Sequence, residues 1–405
     1  MIGAWLGQFW PALRSRNLRL YVAAQSISQT GTFVQQVAIG WLVYRLTHSA
    51  FALGLVGFLT DLPGAVVVLL AGVALDRIPP YRIVLATQTT AMLQALILAA
   101  LVWSNQIDIG IILVLAVLLG LAGGFDVPAR QVLVPQLIDD EADLPNAVAL
   151  NSLAYDLARL FGPPLAGILV AAVGEGFCFL LNGTSYLAVI AALMALPKGR
   201  HFKPAIRTPA VGMLIEGISY VCSTAEIRAV LILVAAVAFA AAPYATLLPL
   251  LAAGLSQNGP HAMGILLGAM AAGSLAGAFF VGQRRNALAL GRLVMVGGAL
   301  FGLCLVLLAL SASLILASAA ALVAGSGVTV FMSACNALLI MVSNADQRGR
   351  VMSLFTLAYM GTVPIGALTA GLIAARIGAP MTLGVGGTLC VLAAAAFGAH
   401  LSRRG

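Results

Sequence analysis

Asp61 and Asp156 are acids set inside long apolar runs of this 405-residue chain. An ionisable side chain at such depth costs about 3 kcal/mol or more on insertion scales, so it marks a functional site by default. The chemistry open to a lone carboxylate there is to carry a proton. Asp61 is the single acid between Ala50 and Leu75 and is followed by Pro63. Its other role is a fixed partner for a hydroxyl or a helix end, and both readings stay open. Asp156 stands three residues before Arg159. At that helical spacing the two can neutralise each other. Equally, Arg159 can offer a counter-charge to an anionic or catecholate-like molecule, with Asn151 and Tyr155 on its face. The two readings combine if proton and substrate compete for the pair.

A second set of residues is uncharged. Gln25, Gln29, Thr32 and Gln36 follow an i, i+4, i+7, i+11 spacing, which reads as one helical face. Amides facing hydrocarbon lose their hydrogen bonds to water, so this face is expected to line a cavity or to bond to neighbouring helices. Later in the chain Thr329, Ser333 and Asn336 share a face, and Tyr244 and Tyr359 add phenols. Asp126 and Arg130 are four apart, but Pro128 lies between them, so regular helical pairing is not expected; a structural or gating role is. The four histidines, His48, His201, His261 and His400, fall at ends and loops, and the five cysteines have no ligand spacing. No metal site and no cofactor is expected. A G-x4-G-K-[ST] run is absent, which argues against direct use of ATP, and nothing indicates an enzyme.

These residues need elements to hold them. Of the chain, 61% is hydrophobic and only 8% charged, against about half and a quarter in soluble domains. The class that fits is an all-α membrane protein, with spans of about 20 apolar residues. Hydropathy gives twelve helices, at 18–44, 50–75, 82–104, 109–137, 146–173, 177–196, 226–254, 261–283, 288–311, 313–342, 348–375 and 379–401. The longest polar break divides them six and six. The expected organisation is therefore an N-terminal bundle over 1–197, a linker over 198–225 and a C-terminal bundle over 226–405. Residues 210–222 read as a short interfacial helix, with Met213, Leu214, Ile218 and Val221 against lipid or protein and Glu216 outward.

With both termini cytoplasmic, all of the 21 Lys and Arg except Arg45, Arg159 and Arg376 fall at cytoplasmic ends or loops. The positive-inside rule selects that orientation. The net charge of +8 is spread over those loops rather than gathered in one stripe, which excludes a nucleic-acid partner. Trp5, Trp10, Arg14, Arg16 and Arg19 precede a full-length span, so no cleavable signal is expected.

The halves read as repeats. Gly167–Gly174 (GILVAAVG) aligns with Gly371–Gly378 (GLIAARIG) at an offset of 204 residues, as in parallel repeats about the membrane normal. Between the second and third helices stands Gly72-x3-Asp76-Arg77-x4-Arg82, a charged knot that must sit outside the hydrocarbon. In this knot Gly72 is expected to permit close helix contact. On this loop motif and the 6+6 pattern the chain resembles the major facilitator superfamily of secondary transporters, with Pro79-Pro80-Tyr81 replacing the family's usual glycine and basic residues. Ala158–Gly167 (ARLFGPPLAG) resembles the fifth-helix antiporter motif, through Gly162, Pro163, Pro164 and Gly167. With Phe125–Arg130, Leu144–Ser152 and Arg348–Ser353, the likeness is to the branch of the enterobactin (siderophore) exporter and macrolide-efflux-type proteins. The fourth-helix arginine of drug antiporters has no counterpart over 110–124, and the second copy of the loop motif is reduced to Gly277 and Gln283-Arg284-Arg285.

The resemblance implies twelve transmembrane helices in two pseudo-symmetric bundles, in a bacterial inner membrane, rocking around a central cavity. It implies export of an amphipathic small molecule, siderophore- or drug-like, in exchange for protons. Proton-coupled uptake of a small organic anion is the first alternative. A lipid-handling or non-transporting sensor protein is the second. Asp61 and then Asp156 are the candidate proton carriers. Gln25, Gln29, Thr32, Gln36, Asn151, Tyr155, Arg159, Tyr244, Asn336 and Tyr359 are the candidate cavity residues. Gly72, Asp76, Arg77, Arg82, Asp126, Arg130, Gly162, Pro163, Pro164 and Gly167 are the candidate gate. The expected partners are membrane lipid, one small molecule and protons, and the chain is expected to act as a monomer.

Overall fold

The computed structural model describes residues 11–196, 210–281 and 287–402. Trp5, Trp10, the first part of the linker and Gln283-Arg284-Arg285 lie outside them. The described residues are almost all helical. After a 3-10 turn at Pro11–Arg14 come α1 (Arg16–Thr47), α2 (Ala50–Arg77), α3 (Pro80–Trp103), α4 (Ile109–Leu133), α5 (Leu144–Val173) and α6 (Glu175–Met194). A shorter helix α7 (Ala210–Ser223) precedes α8 (Ala225–Leu255), α9 (Gly259–Val281), α10 (Ala287–Leu310), α11 (Leu314–Val342), α12 (Arg348–Ile377) and α13 (Ala379–Ser402).

Eleven of these are long and apolar enough to cross a membrane. The twelfth long helix, α1, has 32 residues but falls outside that group. Its glutamines, serines and threonines, spaced for a buried seam, lower its apolar content. Helices this apolar satisfy their backbone groups internally, which is what a hydrocarbon solvent demands. Pro63, Pro128, Pro163, Pro164, Pro243, Pro249 and Pro364 all sit within helices that continue through them.

The chain forms two compact units. One is built from the described parts of 1–42 and 63–206, the other from 43–62 and the described parts of 207–405. Within the first, one end holds a core of Leu18, Tyr21, Val84, Ala129, Leu133, Leu137, Ala147 and Val189. There the Ala12 N–H donates to Asn146 Oδ1 at 3.1 Å, which ties the 3-10 turn to the start of α5, and the Asp139 N–H donates to Ser15 Oγ at 2.9 Å, which ties the segment before α5 to the start of α1. Within the second, α7 is anchored by the Arg350–Glu216 ion pair at 2.7 Å. Val221 is buried and Glu216 and Ile218 are exposed.

The repeat read from the sequence recurs in the backbone. The 3-10 turns Glu141–Asp143 and Ala345–Gln347, the helices α5 and α12, and the starts of α6 and α13 keep the offset of 204 residues. Gly174 and Gly378 end the matching helices with φ of 84° and 85°. A Cβ is strained at such φ values, so both glycines are required there.

Candidate functional site

Asp61 lies in α2, in the apolar stretch Ala50–Val68. Its side chain is exposed and makes no hydrogen bond or ion pair with a described residue. A carboxylate exposed at this depth is stable only facing water, since lipid offers it nothing. Pro63, two residues on, removes one backbone donor from the ladder beside it. Asp156 and Arg159 are also exposed, on α5. They do not form a contact ion pair; Arg159 acts on Asp156 through space. Tyr155 packs edge-on against Phe33 of α1, with ring centroids 5.4 Å apart.

The opposite holds for Asp126 and Arg130. The sequence predicts that Pro128 disturbs their pairing, yet the two form an ion pair at i, i+4. Pro128 removes its own N–H and leaves the side-chain register of the turn unchanged. Asp126 Oδ1 also accepts from Thr87 Oγ1 at 2.6 Å and from Gln88 Nε2 at 3.1 Å. The side chains are 18% and 11% exposed for Arg130 and Asp126. This is a buried, bonded charge pair rather than a solvated one.

The helix 1 stripe divides between two faces. Gln25 is buried, Gln29 and Thr32 are half-buried and Gln36 is exposed. The inward seam runs instead through buried Tyr21, Gln25, Ser28 and Gln35 with half-buried Thr32 among them, and its alternating spacing of four and three keeps one face inward. At its upper end Gln35 Nε2 donates to Gln94 Oε1 at 2.9 Å, and Asn182 Nδ2 donates to Gln35 Oε1 at 2.8 Å. Thr32 Oγ1 donates to Ser28 O at 3.0 Å and lies 3.3 Å from the Tyr186 hydroxyl. Gly31 makes this approach of α1 to α6 feasible: a Cβ there would stand 2.6 Å from Asn182 Oδ1. Below it the pattern changes. Tyr21 Oη, both polar atoms of the Gln25 amide, Ser28 Oγ, Gln88 Oε1 and Arg130 Nε are buried with no hydrogen-bond partner among the described residues.

The loop motif is partly engaged. Asp76 is half-buried and Arg77 exposed, and Asp76 has no bond to a described residue. Arg82 Nε donates to Tyr81 Oη at 3.0 Å. A Cβ on Gly72 would meet nothing within 4 Å among the described residues, so the close contact expected there is not made with any of them. It occurs earlier in α2, where a Cβ on Gly64 would lie 2.9 Å from Gly120 O and one on Gly124 2.7 Å from Gly64 O. Gly162, Pro163 and Gly167 are buried and Pro164 half-buried. In the second unit Tyr244 is buried and donates to Leu266 O at 3.4 Å, Asn336 is half-buried and Tyr359 exposed.

Sequence reasoning passed over Tyr21, Ser28, Gln35, Thr87, Gln88, Gln94, Asn182 and Tyr186. Thr87-Gln88-Thr89-Thr90 and Gln94 stand as a polar cluster in an apolar run, and that was the available signal. Asn182 opens a formal glycosylation sequon; it is fully buried.

A family model described as transmembrane secretion effector matches residues 7–403. The chain is 30% identical over 174 residues to the staphyloferrin A transporter of Staphylococcus aureus, a match that spans 43% of each protein. It is 22% identical over 384 residues to macrolide efflux protein A of Streptococcus pyogenes, covering 93% of this chain and 94% of that one. The fold matches the crystal structure of the nucleoside transporter NupG with a TM-score of 0.77 at 11% identity, covering 95% of this chain and 98% of that one.

Proposed function

The chain belongs to the transmembrane secretion effector family of the major facilitator superfamily, and from that premise we propose that it exports an amphipathic small molecule, siderophore- or drug-like, in exchange for protons. The observation that carries the reading is Asp61, an exposed carboxylate with no described partner inside an apolar span. Protonated, it tolerates an apolar surround; ionised, it needs water. A group with those two demands suits alternating access, in which one site meets each side of the membrane in turn. Arg159 and Asp156, both exposed on α5, suit a cargo with a polar or anionic group. The names of the relatives support export and the cargo class: a transporter of staphyloferrin A and a macrolide efflux protein. The Lys and Arg distribution supports an orientation with both termini cytoplasmic, and the bacterial relatives support a bacterial cell-membrane setting.

The test is proton movement triggered by cargo. Purified protein in liposomes carrying an internal pH dye is exposed to a macrolide or to staphyloferrin A without an imposed gradient. Exchange shifts the internal pH in proportion to cargo moved. Cargo flux with no pH change removes the proton from the scheme.

A further inference from the structure

Among the described residues, seven buried side-chain polar atoms lack a hydrogen-bond partner, and six of them belong to one region of the first unit. They are Tyr21 Oη, Gln25 Nε2 and Oε1, Ser28 Oγ, Gln88 Oε1 and Arg130 Nε. The residues Tyr21, Gln25, Ser28 and Gln88 are 1%, 3%, 1% and 2% exposed. Buried polar groups are almost always bonded, by protein or by water, because a lost bond is not regained elsewhere. One orphan is a local irregularity; six together are a pattern.

The helices bring them to one level. Leu18 and Tyr21 of α1 pack in one core with Ile83 and Val84 of α3, and farther along Gln35 bonds to Gln94, so the two helices run in the same direction. Stepping back from that bond, Gln88 comes level with Ser28, and Gln25 follows one turn below. Gln88 also bonds to Asp126, and Tyr21 is close enough to Asp126 and Arg130 to feel both charges. The six atoms therefore cluster near one level between α1, α3 and α4.

The chemistry of the lining selects the occupant. It offers two hydroxyls, one complete amide, one carbonyl oxygen and one guanidinium N–H, a mixture of donors and acceptors. Asp126 beside it disfavours an anion, and Arg130 disfavours a cation. We propose that this cluster is an internal water-binding site, in which Tyr21, Gln25, Ser28 and Gln88 hold ordered water against the Asp126–Arg130 pair. Two to four polar partners per water are what such a site requires, and the lining supplies them. The upper seam, closed by Thr32, Gln35, Gln94, Asn182 and Tyr186 bonding to each other, is dry.

Tyr186 provides an internal control: it is 3% exposed, but its hydroxyl bonds to Thr32 and Asn182. X-ray hydroxyl-radical footprinting of the full chain in lipid nanodiscs reads water beside a buried ring by mass spectrometry. Tyr21 is expected to be oxidised several-fold faster than Tyr186; equal rates overturn the site. Gln25→Leu gives an independent reading. If water satisfies the amide, the leucine displaces it, strands Tyr21 and Ser28, lowers the melting temperature and slows Tyr21 oxidation. If the cluster is dry, the leucine removes two unpaired polar atoms, the protein melts higher, and the proposal fails. Ser28→Ala, a smaller change, must move both readouts in the same direction as Gln25→Leu.

Discussion

Replacing Asp126 by alanine leaves the Arg130 guanidinium buried without its counter-charge. The structure sets the size of that loss. The carboxylate holds Arg130, the Thr87 hydroxyl at 2.6 Å and the Gln88 amide at 3.1 Å, with only 11% of its side chain exposed. Removing one partner of such a pair costs about 3–5 kcal/mol, mostly because the remaining charge keeps its desolvation penalty. For a six-helix unit of this size, each kcal/mol lowers the melting temperature by about 2–4 °C, so Asp126→Ala is expected to melt about 6–20 °C lower. Arg130→Met alone strands the carboxylate and behaves alike. The double variant Asp126→Leu/Arg130→Met removes both charges and recovers most of the loss, because an apolar pair of similar volume replaces a buried ion pair at little cost. The assay is thermal unfolding in detergent of the unaltered protein, Asp126→Leu, Arg130→Met and the double variant, a closed cycle whose non-additivity isolates the pair. A single-variant shift below about 2 °C, or a double variant worse than either single one, refutes a buried and mutually dependent pair.

Three other expectations are open to direct measurement. Gly124→Val forces a side chain against Gly64 O, within 2.7 Å of where its Cβ must stand, and is expected to lower folded yield sharply, while Gly72→Ala, with nothing within 4 Å, leaves yield unchanged. Arg159→Ala is expected to weaken transport of an anionic cargo more than of a neutral one; equal losses in a vesicle flux assay assign Arg159 to structure alone. Glu216→Gln breaks an ion pair whose glutamate side chain is 65% exposed, so unfolding of the second unit should shift by less than about 1 kcal/mol.

The fold was legible because a hydrocarbon solvent leaves few options. Apolar runs with Pro, Gly and charge at their breaks mark helix limits within a few residues, and the short helix expected at 210–222 is observed at Ala210–Ser223. The 204-residue repeat was readable because small residues and a terminal glycine recur where the backbone needs them, at Gly174 and Gly378. Which face of a helix is buried was less readable. Gln35 and Gln36 are adjacent, and polarity alone does not say that Gln35 meets Gln94 and Asn182 while Gln36 is exposed. Pro128 misled for a similar reason: a proline alters the backbone ladder, whereas the Asp126–Arg130 pair depends on side-chain spacing, which survives. At Asp156 and Arg159 the i, i+3 spacing leaves pairing open, and the contact is not made.

The account turns on whether Asp61 links cargo to protons. Liposomes with a one-unit pH gradient and a macrolide probe measure this directly. One proton exchanged per cargo molecule supplies about 1.4 kcal/mol, enough for about tenfold accumulation. The unaltered protein is expected to accumulate the probe against its gradient, and Asp61→Asn, folded and inserted at the same level, to bring it only to equal concentrations on both sides. Gradient-driven accumulation that persists in Asp61→Asn would contradict the account.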